Sequence, residues 1–176
     1  MHLLFFCPII NEAYHVALVD GSWDVQGRAG TGLAVYNRRG DLVYTSFGRV
    51  ASQDAFSTEA MAVWQALQYI EVNGSEGVFI CYSDSRQLVQ AIADRRVQGI
   101  PNWRAAEKVQ QCINYIARYR DRVQVKYITR KALHTAHQMA NWARMTGKIE
   151  AGTPIQCNIG HLDIEHRLNG MYFSIT

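Results

Sequence analysis

Val16-Ala17-Leu18-Val19-Asp20-Gly21-Ser22 is an apolar, β-favouring run that ends in an acid, a glycine and a serine. An ionisable residue closing such a run is costly to bury, so its placement asks for an explanation. A second run of the same kind follows later, Val78-Phe79-Ile80-Cys81-Tyr82-Ser83-Asp84-Ser85. If the two runs are neighbouring strands, their acids face each other, and the rest of the chain must build the sheet that makes them neighbours.

The residues around the first run predict that sheet. Residues 14–21 alternate as a strand, and the Gly-rich stretch 27–32 follows a polar turn. Residues 33–36 read as a second strand, Asn37-Arg38-Arg39-Gly40-Asp41 as a hairpin turn, and residues 42–50 as a third strand. Residues 56–72 carry Ala60, Val63, Trp64, Leu67 and Ile70 at helical spacing, with Ser57 and Thr58 at the start and Asn73-Gly74 as the stop. The second run gives a fourth strand at residues 77–82, followed by a helix over 85–93. Asn102 caps a helix over 103–119, with Val109, Cys112, Ile113 and Ile116 on one face. Residues 123–128 form a fifth strand, and 134–145 a last helix closed by Gly147. Trp103, at a helix start, reads as a core or staple residue rather than a stacking one. The expected fold class is α/β: a five-stranded mixed sheet, three antiparallel strands plus two parallel ones reached by helical crossovers, flanked by helices. The expected organisation is an extension at 1–13, a domain at 14–147 and an extension at 148–176 that lacks a clear pattern.

Composition is compatible with one domain: 176 residues, 48% hydrophobic and 19% charged. No apolar run approaches the ~18 residues that span a bilayer, and the apolar start Met1–Ile10 lacks a cationic leader, so no membrane partner is expected. Cys7, Cys81, Cys112 and Cys157 are dispersed, with Cys81 and Cys112 in apolar contexts. Buried thiols in a reducing, intracellular setting are expected, with nuclear, cytoplasmic and organellar compartments left open. Cys157, His161 and His166 fit no standard zinc spacing. The net charge of +3 is unevenly spread: residues 101–148 hold ten cations and two anions, whereas residues 54–100 hold three and six. Arg118, Arg120, Arg122, Lys126, Arg130 and Lys131 cluster around the fifth strand. They form either a solvated face or a grip on phosphates.

Glu59, in the first turn of the long helix, is the third acid of interest. Acids gathered at strand ends repel one another unless a cation lies between them, and oxygen ligands suit Mg²⁺ or Mn²⁺. Taken singly, each acid could be a cap, a turn residue or a partner of a helix dipole. Their conjunction is more specific. Asp20-Gly21-Ser22, Gly30-Thr31-Gly32-Leu33-Ala34-Val35, Ser57-Thr58-Glu59-Ala60-Met61-Ala62-Val63-Trp64-Gln65-Ala66-Leu67 and Ser83-Asp84-Ser85-Arg86-Gln87-Leu88-Val89 together resemble the ribonuclease H family, in its plant-type, retroelement-related branch.

That resemblance implies hydrolysis of the RNA strand of an RNA–DNA hybrid with two Mg²⁺ or Mn²⁺ ions on the order of 4 Å apart. It implies Asp20 bridging the ions, Glu59 and Asp84 as further ligands, and contact with the hybrid, or with another nucleic acid, through Gly21, Ser22, Thr31 and Ser85. Arg118, Arg120, Lys126, Arg130 and Lys131 would hold its phosphates. The family's fourth acid lies in a pattern like R-E-x-N-x-x-A-D-x-L-A. Here Arg130-Lys131-Ala132-Leu133-His134-Thr135-Ala136-His137-Gln138-Met139-Ala140 puts His137 at that position. His137 then either joins the metal site or marks weakened activity, and His134 is a candidate for product or proton release. Two other readings stay open: a catalytically weakened module that binds nucleic acid or protein, and a resolvase-type DNA nuclease.

Overall fold

The computed structural model describes residues 13–73, 77–119 and 122–168. Strand β1 (Ala13–Trp23) lies at the centre. It pairs antiparallel with β2 (Ala29–Asn37), which pairs antiparallel with β3 (Leu42–Val50). On its other side β1 runs parallel to β4 (Val78–Ser83), and β4 parallel to β5 (Val123–Tyr127). The Asn37–Asp41 turn is tied by the Asn37 side-chain oxygen, which accepts from the amides of Arg39 and Asp41, while Gly40 takes a positive φ of 82°.

Among the described residues four α-helices cover the two faces. Helices α1 (Ala55–Asn73), α2 (Arg86–Ala93) and α3 (Trp103–Arg118) lie on one side, and α4 (His134–Thr146) on the other. Strand alternation divides the core accordingly. Val16, Leu18, Ala34, Tyr36, Ile80 and Tyr82 pack under Leu133, Ala136, Met139 and Ala143. Ala17, Val19, Leu33, Val35, Phe79 and Cys81 pack under Ala60, Val63, Leu67, Val109 and Cys112. Cys81, Cys112 and Cys157 are free, buried thiols.

The expected architecture is present, with three differences. First, β2 begins at Ala29 rather than at residue 33, so Gly30 and Gly32 lie within the strand. The cause is α4, whose backbone lies directly on it. A Cβ on Gly30 would sit 2.5 Å from the Ala140 carbonyl oxygen and the Arg144 nitrogen, and one on Gly32 would collide with the Ala136 carbonyl. Second, a sixth strand, β6 (Glu150–Gly152), pairs antiparallel with β3 and gives the order β5-β4-β1-β2-β3-β6. The chain beyond it straps over α4: Cys157 and Ile159 are buried, the Tyr36 hydroxyl donates to the Glu165 carbonyl at 2.8 Å, and the Glu165 amide donates to Thr135 Oγ1 at 2.9 Å. Third, α1 starts one residue after Asp54, whose carboxylate accepts from the Ser57 amide at 2.6 Å. Asp54, not Ser57 or Thr58, is therefore the cap.

Among the described residues no helix is long and apolar enough to cross a membrane. Gly32→Ala is expected to cost on the order of 1–3 kcal/mol in urea unfolding, because α4 must lift from the sheet to admit the methyl group. Gly160→Ala meets no atom within 4 Å and should leave the midpoint nearly unchanged.

Candidate metal centre

Parallel pairing of β1 and β4 in the register Leu18↔Tyr82 carries both acids past the end of the pairing on the same edge. Asp20 lies on the α4 face with Val16 and Leu18, and Gly21 on the α1 face. Without a side chain, Gly21 admits the first turn of α1: a Cβ there would be 2.8 Å from the Glu59 nitrogen. Glu59 thereby reaches the strand end from the opposite face, and its carboxylate accepts a hydrogen bond from the Gly21 amide. Carboxylate oxygens of Asp20, Glu59 and Asp84 come within 4.8 Å of one another.

The electrostatics of this cluster are strained. Asp20 is only 1% exposed. Burial, then the charges of Asp20 and Asp84, push the Glu59 carboxyl up to about 9 despite the Gly21 amide. Burial and Asp20 also raise Asp84, against the opposing influence of Arg130 and His137. One Glu59 oxygen, Oε2, is buried with no hydrogen-bond partner. An orphaned, buried oxygen beside two further carboxylates fits a hard divalent cation, which would satisfy the oxygen and relieve the repulsion.

His137 is half-buried and stands beside this cluster. Its Nδ1 is 2.6 Å from Asp20 Oδ2, and its Nε2 is 2.9 Å from Asn141 Nδ2. The mutually close group comprises the three acids without His137. His134 turns to the strap, with Nε2 2.8 Å from Asp163 Oδ2. Thr31 is completely buried, its hydroxyl donating to Gln65 Oε1 at 2.7 Å, so it does not offer a surface to a duplex. The reason is strand alternation, which turns Thr31 away from α4 and under α1, the helix that carries Gln65. Ser22 is also buried, held by Asn141 and Arg144. Ser85 caps α2, accepting from the Leu88 amide.

The basic residues Arg118, Lys126, Arg130 and Lys131 are all exposed, and Arg120 lies outside the described residues. Lys126 and Tyr127 end the edge strand β5, and the Arg86 guanidinium lies 4.3 Å from the Tyr127 ring centre, two residues beyond Asp84. Trp103 is 67% exposed rather than a core residue, with Arg104 over its ring. It lines a cavity of about 520 Å³ with Ser52, Gln53, Asn102 and Lys108. Cys157, His161 and His166 form no metal-ligand group: Cys157 is buried near the Thr45 carbonyl, and His161 packs on the Trp142 ring at 4.3 Å. Sequence reasoning missed Asn141 and Arg144. They follow His137 by four and seven residues, a spacing that puts all three on one face of α4.

The family model described as reverse transcriptase-like matches residues 18–143. No curated protein sequence matches the chain. Among solved structures, LC11 ribonuclease H1 in complex with RNA/DNA hybrid is 17% identical with a TM-score of 0.66, over 74% of this chain and 96% of that one. Ribonuclease H1 from the halophilic archaeon Halobacterium salinarum is 18% identical with a TM-score of 0.62, over 73% and 96%. A foamy viral protease-reverse transcriptase in complex with RNA/DNA hybrid is 15% identical with a TM-score of 0.63, over 78% of this chain and 21% of that one. These likenesses identify the fold as ribonuclease H-like.

A pH dependence follows from Glu59. In the unfolded chain it loses its proton near 4.5, and in the folded, metal-free chain only near 9. Between these values the folded state binds more protons, so stability falls as pH rises. Thermal melts without divalent ions should show the melting temperature declining across this window and Glu59→Gln flattening the decline. An unchanged slope in the variant would remove Glu59 as its source.

Proposed function

We propose, since this chain belongs to the reverse transcriptase-like family, that it is a metal-dependent endonuclease that hydrolyses the RNA strand of an RNA–DNA hybrid. The observation that carries this reading is the buried trio Asp20, Glu59 and Asp84 with its unpartnered Glu59 oxygen. These three side chains would hold two Mg²⁺ or Mn²⁺ ions. Ions bound there would supply an activated water and stabilise the leaving oxygen.

The protein's own groups do the rest. Asp20 is fixed by His137, and Glu59 by the Gly21 amide, so the ligands are oriented before any substrate arrives. Exposed Lys126, Arg130 and Lys131 lie beyond the strand end that bears Asp84 and would engage phosphates. Gly21 and Ser85 flank the acids, where a sugar–phosphate backbone would pass. A hybrid differs from duplex DNA by the 2′-hydroxyls of one strand, so contacts to backbone and sugar suffice for recognition and no base code is needed. Residues 14–147 form the unit proposed to carry the activity.

A second reading, a binding module with weakened catalysis, is favoured by one observation: the position expected to supply a fourth acid holds His137, hydrogen-bonded to Asp20. Cleavage of a labelled RNA–DNA hybrid with Mg²⁺ and with Mn²⁺ separates the two. Cleavage of the RNA strand is expected with at least one metal, and Asp20→Asn should lower it by 100-fold or more, about 3 kcal/mol. Wild type inert with both metals, with activity gained in His137→Asp, would overturn the nuclease reading and leave the binding module. Branched DNA cleaved in preference to the hybrid would redirect it to a DNA nuclease.

A further inference from the structure

We infer that His137 is a positioning residue for Asp20 rather than a fourth metal ligand, and that Asn141, Ser22 and Arg144 hold it in that part. A guanidinium has donors only. Arg144 Nε lies 2.8 Å from Ser22 Oγ, so the Ser22 oxygen accepts there and its own hydrogen must go elsewhere. The acceptor within reach is Asn141 Oδ1 at 2.6 Å, a length typical of O–H···O rather than N–H···O bonds. The amide is thereby oriented with its NH₂ toward the histidine. Asn141 Nδ2 donates to His137 Nε2 at 2.9 Å, which leaves that nitrogen without a proton. The imidazole proton is on Nδ1, which donates to Asp20 Oδ2 at 2.6 Å.

The far end of this chain is anchored as well. Arg144 Nη1 donates to Asp24 Oδ2 at 2.8 Å, and Arg28 Nε donates to the same oxygen at 2.8 Å. Asp24 itself is pinned by the Gln26 and Arg28 amides, which donate to its other oxygen. The Arg49 guanidinium donates to the Arg144 carbonyl at 2.8 Å. Asp24, in the turn between β1 and β2, thus fixes through three side chains, Arg144, Ser22 and Asn141, which nitrogen of His137 meets Asp20. A protonated Nδ1 has no lone pair to give a cation, and the Nε2 lone pair is taken by the Asn141 N–H, so the ligand set closes at three carboxylates. The consequence for metal binding rests on the proposed function, but the hydrogen-bond assignment does not.

Long-range ¹H–¹⁵N correlation spectra of the full chain, with His137 assigned by loss of its signal in His137→Asn, test the inference. The expected result is an Nδ1–H imidazole without metal that keeps its proton when Mg²⁺ is added to saturation. Asn141→Leu should abolish the tautomer preference and weaken Mg²⁺ binding by about 10-fold in calorimetry. His137→Asn, whose amide can donate to Asp20 from nearly the same place, should retain most Mg²⁺ affinity, and His137→Ala should lose it. If Asn141→Leu does not fold, Arg144→Met breaks the chain one bond further out and should loosen the same tautomer. An Nε2–H imidazole, a direct Mg²⁺-induced deprotonation of Nδ1, or an unaltered tautomer in both chain variants would overturn the inference. Absence of Mg²⁺ binding in wild type, with the Nδ1–H tautomer present, would remove the proposed metal centre and leave the assignment standing.

Discussion

Three carboxyl groups within 4.8 Å of one another, one of them almost wholly buried, repel each other when ionised, and the structure around Asp20 is organised by that repulsion. Glu59 responds by holding its proton, and Asp20 is met by the His137 N–H. Such an arrangement costs stability in a metal-free chain. A divalent cation held there would make it intelligible: it would satisfy the Glu59 oxygen that has no hydrogen-bond partner and offset the mutual repulsion.

The acids are brought together by backbone contact as much as by side chains. Gly21 lets α1 touch the end of β1, and Gly30 and Gly32 let α4 lie on β2. These are two helices approaching the sheet from opposite faces, and each carries one residue to the same strand end: Glu59 on α1 and His137 on α4. A methyl group at either place would push its helix outward and pull the residue it carries away from Asp20. The glycines and the acids therefore serve a single geometric requirement.

Much of this was legible in sequence. Apolar runs ending in Asp20 and Asp84 predicted neighbouring strands, and the helical spacing from Ala60 to Ile70 predicted the helix that brings Glu59 over them. Glycine-rich strand β2 was harder to see, since glycine is a poor strand former and only the close approach of α4 makes it the right residue there. Strand β6 was invisible for another reason: three residues carry no periodicity, and their pairing with Thr45, Ser46 and Phe47 is a tertiary contact. Thr31 was misplaced because a motif names a residue without saying which face it takes; its hydroxyl is spent on Gln65 inside the protein. His137 was found, but the chain of Asn141, Ser22 and Arg144 that fixes its ring joins residues more than a hundred positions apart and emerges only from the fold.

Crystals grown with Mn²⁺, measured for anomalous scattering from that ion, test the central claim most directly, that the three acids form a divalent-cation site. The account predicts an anomalous peak within ligand distance of carboxylate oxygens of Asp20, Glu59 and Asp84, lost in Asp20→Asn. A structure in which Mn²⁺ saturates other sites and leaves these three acids without an ion, with Glu59 still protonated against its neighbours, would contradict it.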